Sequence, residues 1–230
     1  MRGLLGFLIL VALLIGVMAF AVLPVAGPGL VSAVIRGTPP LGGQNVTVST
    51  QVDATRLLRG EITRIDVSGQ RISVDSASAN GVTLSIDGLS VVDRSFANLD
   101  GQAASVAISQ PDGTFVALDD VRVYGSSETI DAVGLIAPGE VTRLLTERLA
   151  AAGMAVDALR LESGVVVVTI AGQDIESRLS VSGDSVVLTP DGGLPVTVAA
   201  GVVEPWRLTG LDVSPAGVKV QAELTGARLG

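Results

Sequence analysis

The chain has 230 residues, 48% of them hydrophobic but only 3% aromatic, so its core must be built from Val, Leu, Ile and Ala. Cys and His are both absent, which excludes disulfides, thiolate nucleophiles, Cys/His zinc sites and any triad with an imidazole base. Lys and Arg number 15 against 23 Asp and Glu, a net charge of −8, which argues against a nucleic-acid partner and a polybasic membrane patch.

Leu4 to Leu23 is a run of 20 residues in which only Gly6 and Gly16 interrupt the apolar pattern. At ~1.5 Å rise per residue such a helix spans about 30 Å, the hydrocarbon thickness of a bilayer. Pro24 and Pro28 end it. Two readings are open: an uncleaved signal anchor, or a signal peptide cut after Ala21 at Ala19-Phe20-Ala21. The length of the run favours the anchor over a signal peptide, whose apolar region is usually ~7–15 residues. Arg2 and the amino terminus precede it, a slight positive-inside bias that places the rest of the chain outside the cytoplasm. Residues 1–36 are thus expected as a transmembrane anchor or signal segment of a single-pass cell-membrane protein, secreted if cut. Residues 37–45, rich in Gly and Pro, are expected as a linker, and 46–230 as an extracytoplasmic domain. Residues 37–230 hold 13 basic and 23 acidic side chains, a difference of −10. An anionic surface repels that field on average, so membrane contact must come from the anchor or from apolar surface. Asn45-Val46-Thr47 matches a glycosylation pattern that is short enough to be incidental.

Val46 to Val52 alternates apolar and polar, the period of a half-buried strand. A helical turn is expected at Asp53–Arg59, with Asp53 as N-cap, Leu57 and Leu58 as its buried face and Gly60 as its stop. Short strands follow at Ile62–Val67, Ile72–Asp75, Val82–Ile86, Leu89–Val92, Ala103–Ser109 and Thr114–Tyr124. They are separated by Ser68-Gly69, Ala79-Asn80-Gly81 and Pro111-Asp112-Gly113, all turn chemistry.

From Pro138 to Ala152 the period changes. Val141, Leu144, Leu145, Leu149 and Ala152 fall on one helical stripe, with Pro138 and Glu140 in the first turn and Gly153 as the stop. A meander follows: Val156–Glu162, Val165–Ala171, Ile175–Val181, Ser185–Thr189, Val196–Ala200, Leu208–Val213 and Val218–Leu224. Turns of two or three residues force antiparallel pairing. Val165-Val166-Val167-Val168 is apolar on both faces, so both should be covered. Thr55-Arg56-Leu57-Leu58 recurs as Thr142-Arg143-Leu144-Leu145, a weak hint of a repeat. The expected fold is α+β: a long curved antiparallel sheet packed around one main amphipathic helix, plus the N-terminal transmembrane helix.

Motifs for chemistry are sparse. There is no phosphate-binding loop, dinucleotide fingerprint, nucleophile elbow or calcium loop. Lys219, the sole lysine, reads as a solvated strand position. Asp119-Asp120 and the Pro-Asp-Gly carboxylates fit turns and strand ends. Trp206, the sole Trp, suits packing, an interfacial anchor or a ligand mouth.

The exported region resembles the LmeA-type family of bacterial envelope phospholipid-binding proteins. The resemblance rests on Leu57-Leu58-Arg59-Gly60-Glu61-Ile62, Gly81-Val82, Leu135-Ile136-Ala137-Pro138-Gly139-Glu140-Val141, Val181-Ser182-Gly183-Asp184, and Leu208-Thr209-Gly210-Leu211-Asp212-Val213-Ser214-Pro215-Ala216-Gly217-Val218. It covers residues 50–227. It implies a non-enzymatic, membrane-associated protein that binds phospholipid or another acyl lipid, supports envelope lipid or lipoglycan assembly, and needs no cofactor. It also implies a fold akin to half of a tubular lipid-binding module. On that reading the apolar groove comprises Val141, Leu144, Leu145 and Leu149 of the helix, Leu84 and Ile86, and Val166, Val168 and Ile170, with Arg143 or Arg148 at a headgroup phosphate. Leu145→Arg is then expected to abolish binding without unfolding. The alternative is a structural or adaptor envelope domain with a fully packed core and no ligand.

Overall fold

A computed structural model describes residues 41–74, 77–109, 115–183, 185–200 and 206–226. The apolar run at 4–23 and the Pro111-Asp112-Gly113 turn lie outside the described residues, among which no helix is long and apolar enough to cross a membrane. The chain is an α+β fold dominated by antiparallel sheet. Strands β1 (Leu41–Gln44), β2 (Thr47–Gln51), β3 (Glu61–Val74), β4 (Ala77–Ser90), β5 (Asn98–Ser109), β6 (Phe115–Gly125) and β7 (Thr129–Ile136) occupy the first half, with helix α1 (Ala54–Leu57) between β2 and β3. Helix α2 (Pro138–Ala151) follows. Then come β8 (Ala158–Glu162), β9 (Val165–Ile170), β10 (Gln173–Ser182), β11 (Ser185–Pro190), β12 (Val196–Ala200), β13 (Trp206–Ser214) and β14 (Gly217–Thr225).

The strands form two sheets rather than one. The larger has nine strands in the order β1-β3-β4-β5-β6-β7-β14-β13, with β2 also on β3; the smaller is the meander β12-β11-β10-β9-β8. The expected linker at 37–45 is in part strand. Leu41 to Gln44 pairs with Arg71–Val74 of β3, and β2 continues that edge opposite Arg64–Ser68. Asn45, at a left-handed φ of 52°, makes the jog between them and donates to Gln70 Oε1 at 2.7 Å.

The strands of the first half are longer than their turn residues suggest. Ser68-Gly69 lies inside β3, and Asn80-Gly81 inside β4. In β4 the buried positions run Ala79, Val82, Leu84, Ile86, Leu89. The period of two slips by one residue at Gly81 and again at Gly88, both left-handed. The pairing register with β3 and β5 is unbroken through both positions, so no residue is added; the left-handed glycines crease the strand and turn the apolar side back to the core. Gly81 fits because a Cβ there would lie 3.1 Å from the Cβ of Ala104. Similar slips occur in β5, between Ala103 and Val106, and in β6, between Leu118 and Val121, where Asp120 has φ 49°. The aligned residues Arg71, Asn80, Ser105 and Asp119 mark this crease across four strands.

Both sheets and α2 share one aliphatic core, in which Ile65, Ile72, Ile86, Leu99, Ile130 and Leu188 are at most 2% exposed. Each such side chain contributes about 1.5–3 kcal/mol by leaving water. The expected buried face of the first helical turn is overturned. Asp53 does cap α1, accepting from the Thr55 and Arg56 amides, but Leu57 and Leu58 are 56% and 90% exposed. One turn offers no second row to pack. The recurrence Thr142–Leu145 lies instead in a 14-residue helix where Leu145 is buried, so the two tetrapeptides play different parts.

Candidate functional site

Helix α2 begins where Pro138 takes N1, with Glu140 at the positive end of the dipole and the Thr142 hydroxyl donating to Pro138 O at 2.9 Å. It closes at Gly153, φ 82°. Its principal neighbours are β8, β12 and β14. Val141, Leu145 and Leu149 are 4%, 4% and 2% exposed; Leu144 is half-buried.

The smaller sheet presents an aliphatic face on the side of Val166 and Val168. Antiparallel register puts Leu159, Val168 and Ile175 in one row, Leu161, Val166 and Ser177 in the next, then Leu179 and Leu188, then Val181 and Val186. Directly opposed residues share a face. Val166, Val168, Ser177 and Leu188 are buried, whereas Leu159, Leu161, Ile170, Ile175, Leu179, Val181 and Val186 are only half-buried. The face therefore grades from a sealed centre to partly open flanks. On the reverse side Val167 is buried too, between Arg160 and Glu176 in register. Both faces of the valine run are covered, as its composition requires.

The structure thus brings Val141, Leu145, Leu149, Val166 and Val168 into the core shared by α2 and the small sheet, with Leu144 and Ile170 only half-buried. Leu84 and Ile86 belong to the same core but on β4 of the large sheet, where Leu84 fills the space a side chain at Gly101 would take. Leu145 is too deeply buried for Leu145→Arg to separate binding from folding; an unpaired charge there is a folding defect.

Arg143 is committed elsewhere. Its guanidinium holds Glu140 through two bonds, at 3.0 and 2.7 Å, and Glu147 at 2.9 Å. Its pKa is raised, the hydrogen bond to Glu140 contributing most. Arg148 is exposed and makes no ion pair among the described residues. Ser177, 1% exposed within the aliphatic face, was not singled out by sequence reasoning; it takes the inward place in the alternation Ile175, Ser177, Leu179, Val181.

A concavity of about 390 Å³ lies on the larger sheet. Thr47, Ser49, Arg64, Asp66, Ser68, Thr83, Ser85, Asp100 and Gln102 line it. Arg64 Nε donates to both Asp66 oxygens, at 2.9 and 3.1 Å. No group of three Asp or Glu suited to a metal ion occurs among the described residues. Asp119 and exposed Asp120 sit at the β6 bulge, and Lys219 is an exposed position of β14.

No protein-family model matches this chain, and it has no significant match among curated proteins or solved structures.

Proposed function

We propose that the protein is a non-enzymatic binding module for phospholipid or another acyl lipid. It is held at a bacterial cell membrane by the apolar segment 4–23, with its main domain on the extracytoplasmic side. The observation that carries this reading is the graded aliphatic face beneath α2. Seven half-buried Leu, Ile and Val side chains flank its sealed centre, an apolar margin that an acyl chain can cover. Acyl chains lying along that flank bury CH₂ groups at about 0.8 kcal/mol each, with no polar chemistry required. The resemblance to envelope phospholipid-binding proteins and the bilayer-length N-terminal run support the same reading.

Native mass spectrometry on residues 37–230, exported by a bacterial host and purified without detergent, tests the reading. One discrete added mass, removed by organic extraction, is the expected result. Leu144→Asp should abolish it while the circular dichroism spectrum is retained. A clean apo mass after incubation with liposomes overturns the proposal. It would favour the adaptor reading, which the near-complete burial of Val141, Leu145, Leu149, Val166 and Val168 also fits.

A further inference from the structure

The four most exposed aliphatic residues beside α1 and after β4 form one feature. Leu57 and Leu58 are 56% and 90% exposed, Val91 and Val92 47% and 73%. The first pair ends α1 and the second follows β4, yet the two loops are tied together. The Val91 amide donates to Gly60 O at 2.9 Å, and Gly60 lies so close to Val92 that a Cβ would fall 2.9 Å from its Cγ2. Both loops are internally built. Asp53 accepts the Thr55 and Arg56 amides at 2.9 and 3.1 Å. Ser90 and Ser95 exchange two backbone bonds, and the Ser90 hydroxyl donates to Asp93 at 2.8 Å. The tip is therefore a braced structure that leaves aliphatic groups in water.

Three arginines surround it. Arg56, Arg59 and Arg94 flank the four aliphatics, all are exposed, and none makes an ion pair among the described residues. The neighbouring carboxylates Asp53 and Asp93 are turned to capping bonds within their own loops, and Glu61 lies at the start of β3. In a domain whose overall balance is 13 basic to 23 acidic side chains, the tip sets these three arginines against the three carboxylates Asp53, Glu61 and Asp93, a locally neutral balance in which the guanidinium groups remain open to phosphate.

We infer that this tip docks into the interfacial region of an anionic lipid bilayer, Leu57, Leu58, Val91 and Val92 entering the acyl boundary while the three arginines meet headgroup phosphates. Exposed aliphatics beside basic residues are the composition of interfacial membrane anchors. A protein partner would more often be met by aromatic anchors, and the tip has none. The tip lies at the Gly60 end of β3, whereas the chain enters the sheet at Leu41, opposite Val74 at the other end. The 17 residues between Leu23 and Leu41 reach up to about 60 Å if extended, so span and tip can engage the same bilayer. This inference goes beyond the lipid-holding groove, and the two fail separately.

The absence of Cys makes the test direct. Leu58→Cys and, as a remote control, Ser180→Cys are labelled with an environment-sensitive fluorophore in the full chain. The chain is reconstituted into phosphatidylcholine vesicles with and without phosphatidylglycerol. A label at 58 that shifts to the blue and is quenched at least threefold more by shallow spin-labelled lipids than the label at 180 supports docking. Combining Arg56→Gln, Arg59→Gln and Arg94→Gln should cut the excess quenching in anionic vesicles at least twofold. A label at 58 equally open to aqueous iodide with and without vesicles overturns the inference. So does one shielded from iodide but not quenched by lipid, which would indicate self-association or a protein contact. Retention of a co-purified lipid is read by mass in the same preparations, so loss of docking with lipid retained leaves the groove untouched.

Discussion

In the nine-stranded sheet, Ile65, Ile72, Ile86, Leu99 and Ile130 are sealed to 2% exposure or less, and close approaches fill the space at its glycines. In the five-stranded sheet only a central strip is sealed, and Leu179, Val181 and Val186 stay half-buried. The turns differ in the same sense. Gly125, between β6 and β7, has φ 144° and no room for a Cβ, whereas Gly164, Gly172 and Gly183 of the meander have left-handed φ with nothing within 4 Å. The large sheet is thus over-determined and behaves as scaffold. The small sheet keeps part of its aliphatic face half-buried, with open space at its turns.

The sharpest way to break that comparison is a charge at two adjacent helix positions. Leu145→Arg buries an uncompensated cation and should unfold the domain, whereas Leu144→Arg can swing its charge to solvent and should leave the far-ultraviolet spectrum unchanged. Equal loss of structure in both variants would mean the face has no open flank. Next come the truncations. Ile65→Ala in the scaffold should cost about 2–5 kcal/mol in urea unfolding, and Leu179→Ala in the small sheet about half of that or less, since its side chain is partly in water already. Similar costs would remove the distinction. Smaller still is the glycine pair. Gly125→Ala must displace the Thr129 carbonyl and should cost more than about 3 kcal/mol, against about 1–2 kcal/mol for Gly172→Ala, where only backbone strain opposes the methyl group.

Legibility in the sequence follows the same divide. Helix α2 and strands β8 to β12 were readable nearly to the residue, because each strand is one half-period run and each Gly-containing turn is a real turn. The first half was readable as strands but not as long strands. Ser68-Gly69 and Asn80-Gly81 carry turn chemistry yet lie inside continuous, in-register strands, and local sequence does not distinguish a left-handed glycine such as Gly81 that creases a strand from one that reverses the chain. Leu57 and Leu58 were misplaced because hydrophobicity states a preference for burial, while a one-turn helix at a sheet end has nothing to bury against. Of the core residues shared by α2 and the small sheet, Val141, Leu145, Leu149, Val166 and Val168 were identifiable from period alone. The half-open flank was not, since it depends on how far α2 reaches across the sheet.

The smallest expected effect concerns pH, and it bears on the reverse face of the small sheet. Asp174 accepts from Arg160 at 2.7 Å and from the Thr169 hydroxyl at 2.7 Å, and its pKa is lowered, the Arg160 bond contributing most. Asp53 is lowered by the Arg56 and Thr55 amides. A carboxylate whose folded pKa lies below its unfolded value adds stability that is present above the unfolded pKa and is lost as pH falls through the folded one. The window is therefore below the ordinary Asp range, below about pH 4. No His titrates near neutrality. The melting temperature should stay level from pH 6 to 8 and fall below pH 4. Asp174→Asn should shallow that fall slightly and lower the plateau by a correspondingly small amount, because the group is exposed and the pair is screened by water. If the plateau itself dropped by several degrees, the Arg160–Asp174–Thr169 cluster would be holding β8, β9 and β10 together. The small sheet would then owe its order to its polar side rather than to its half-buried aliphatic flank.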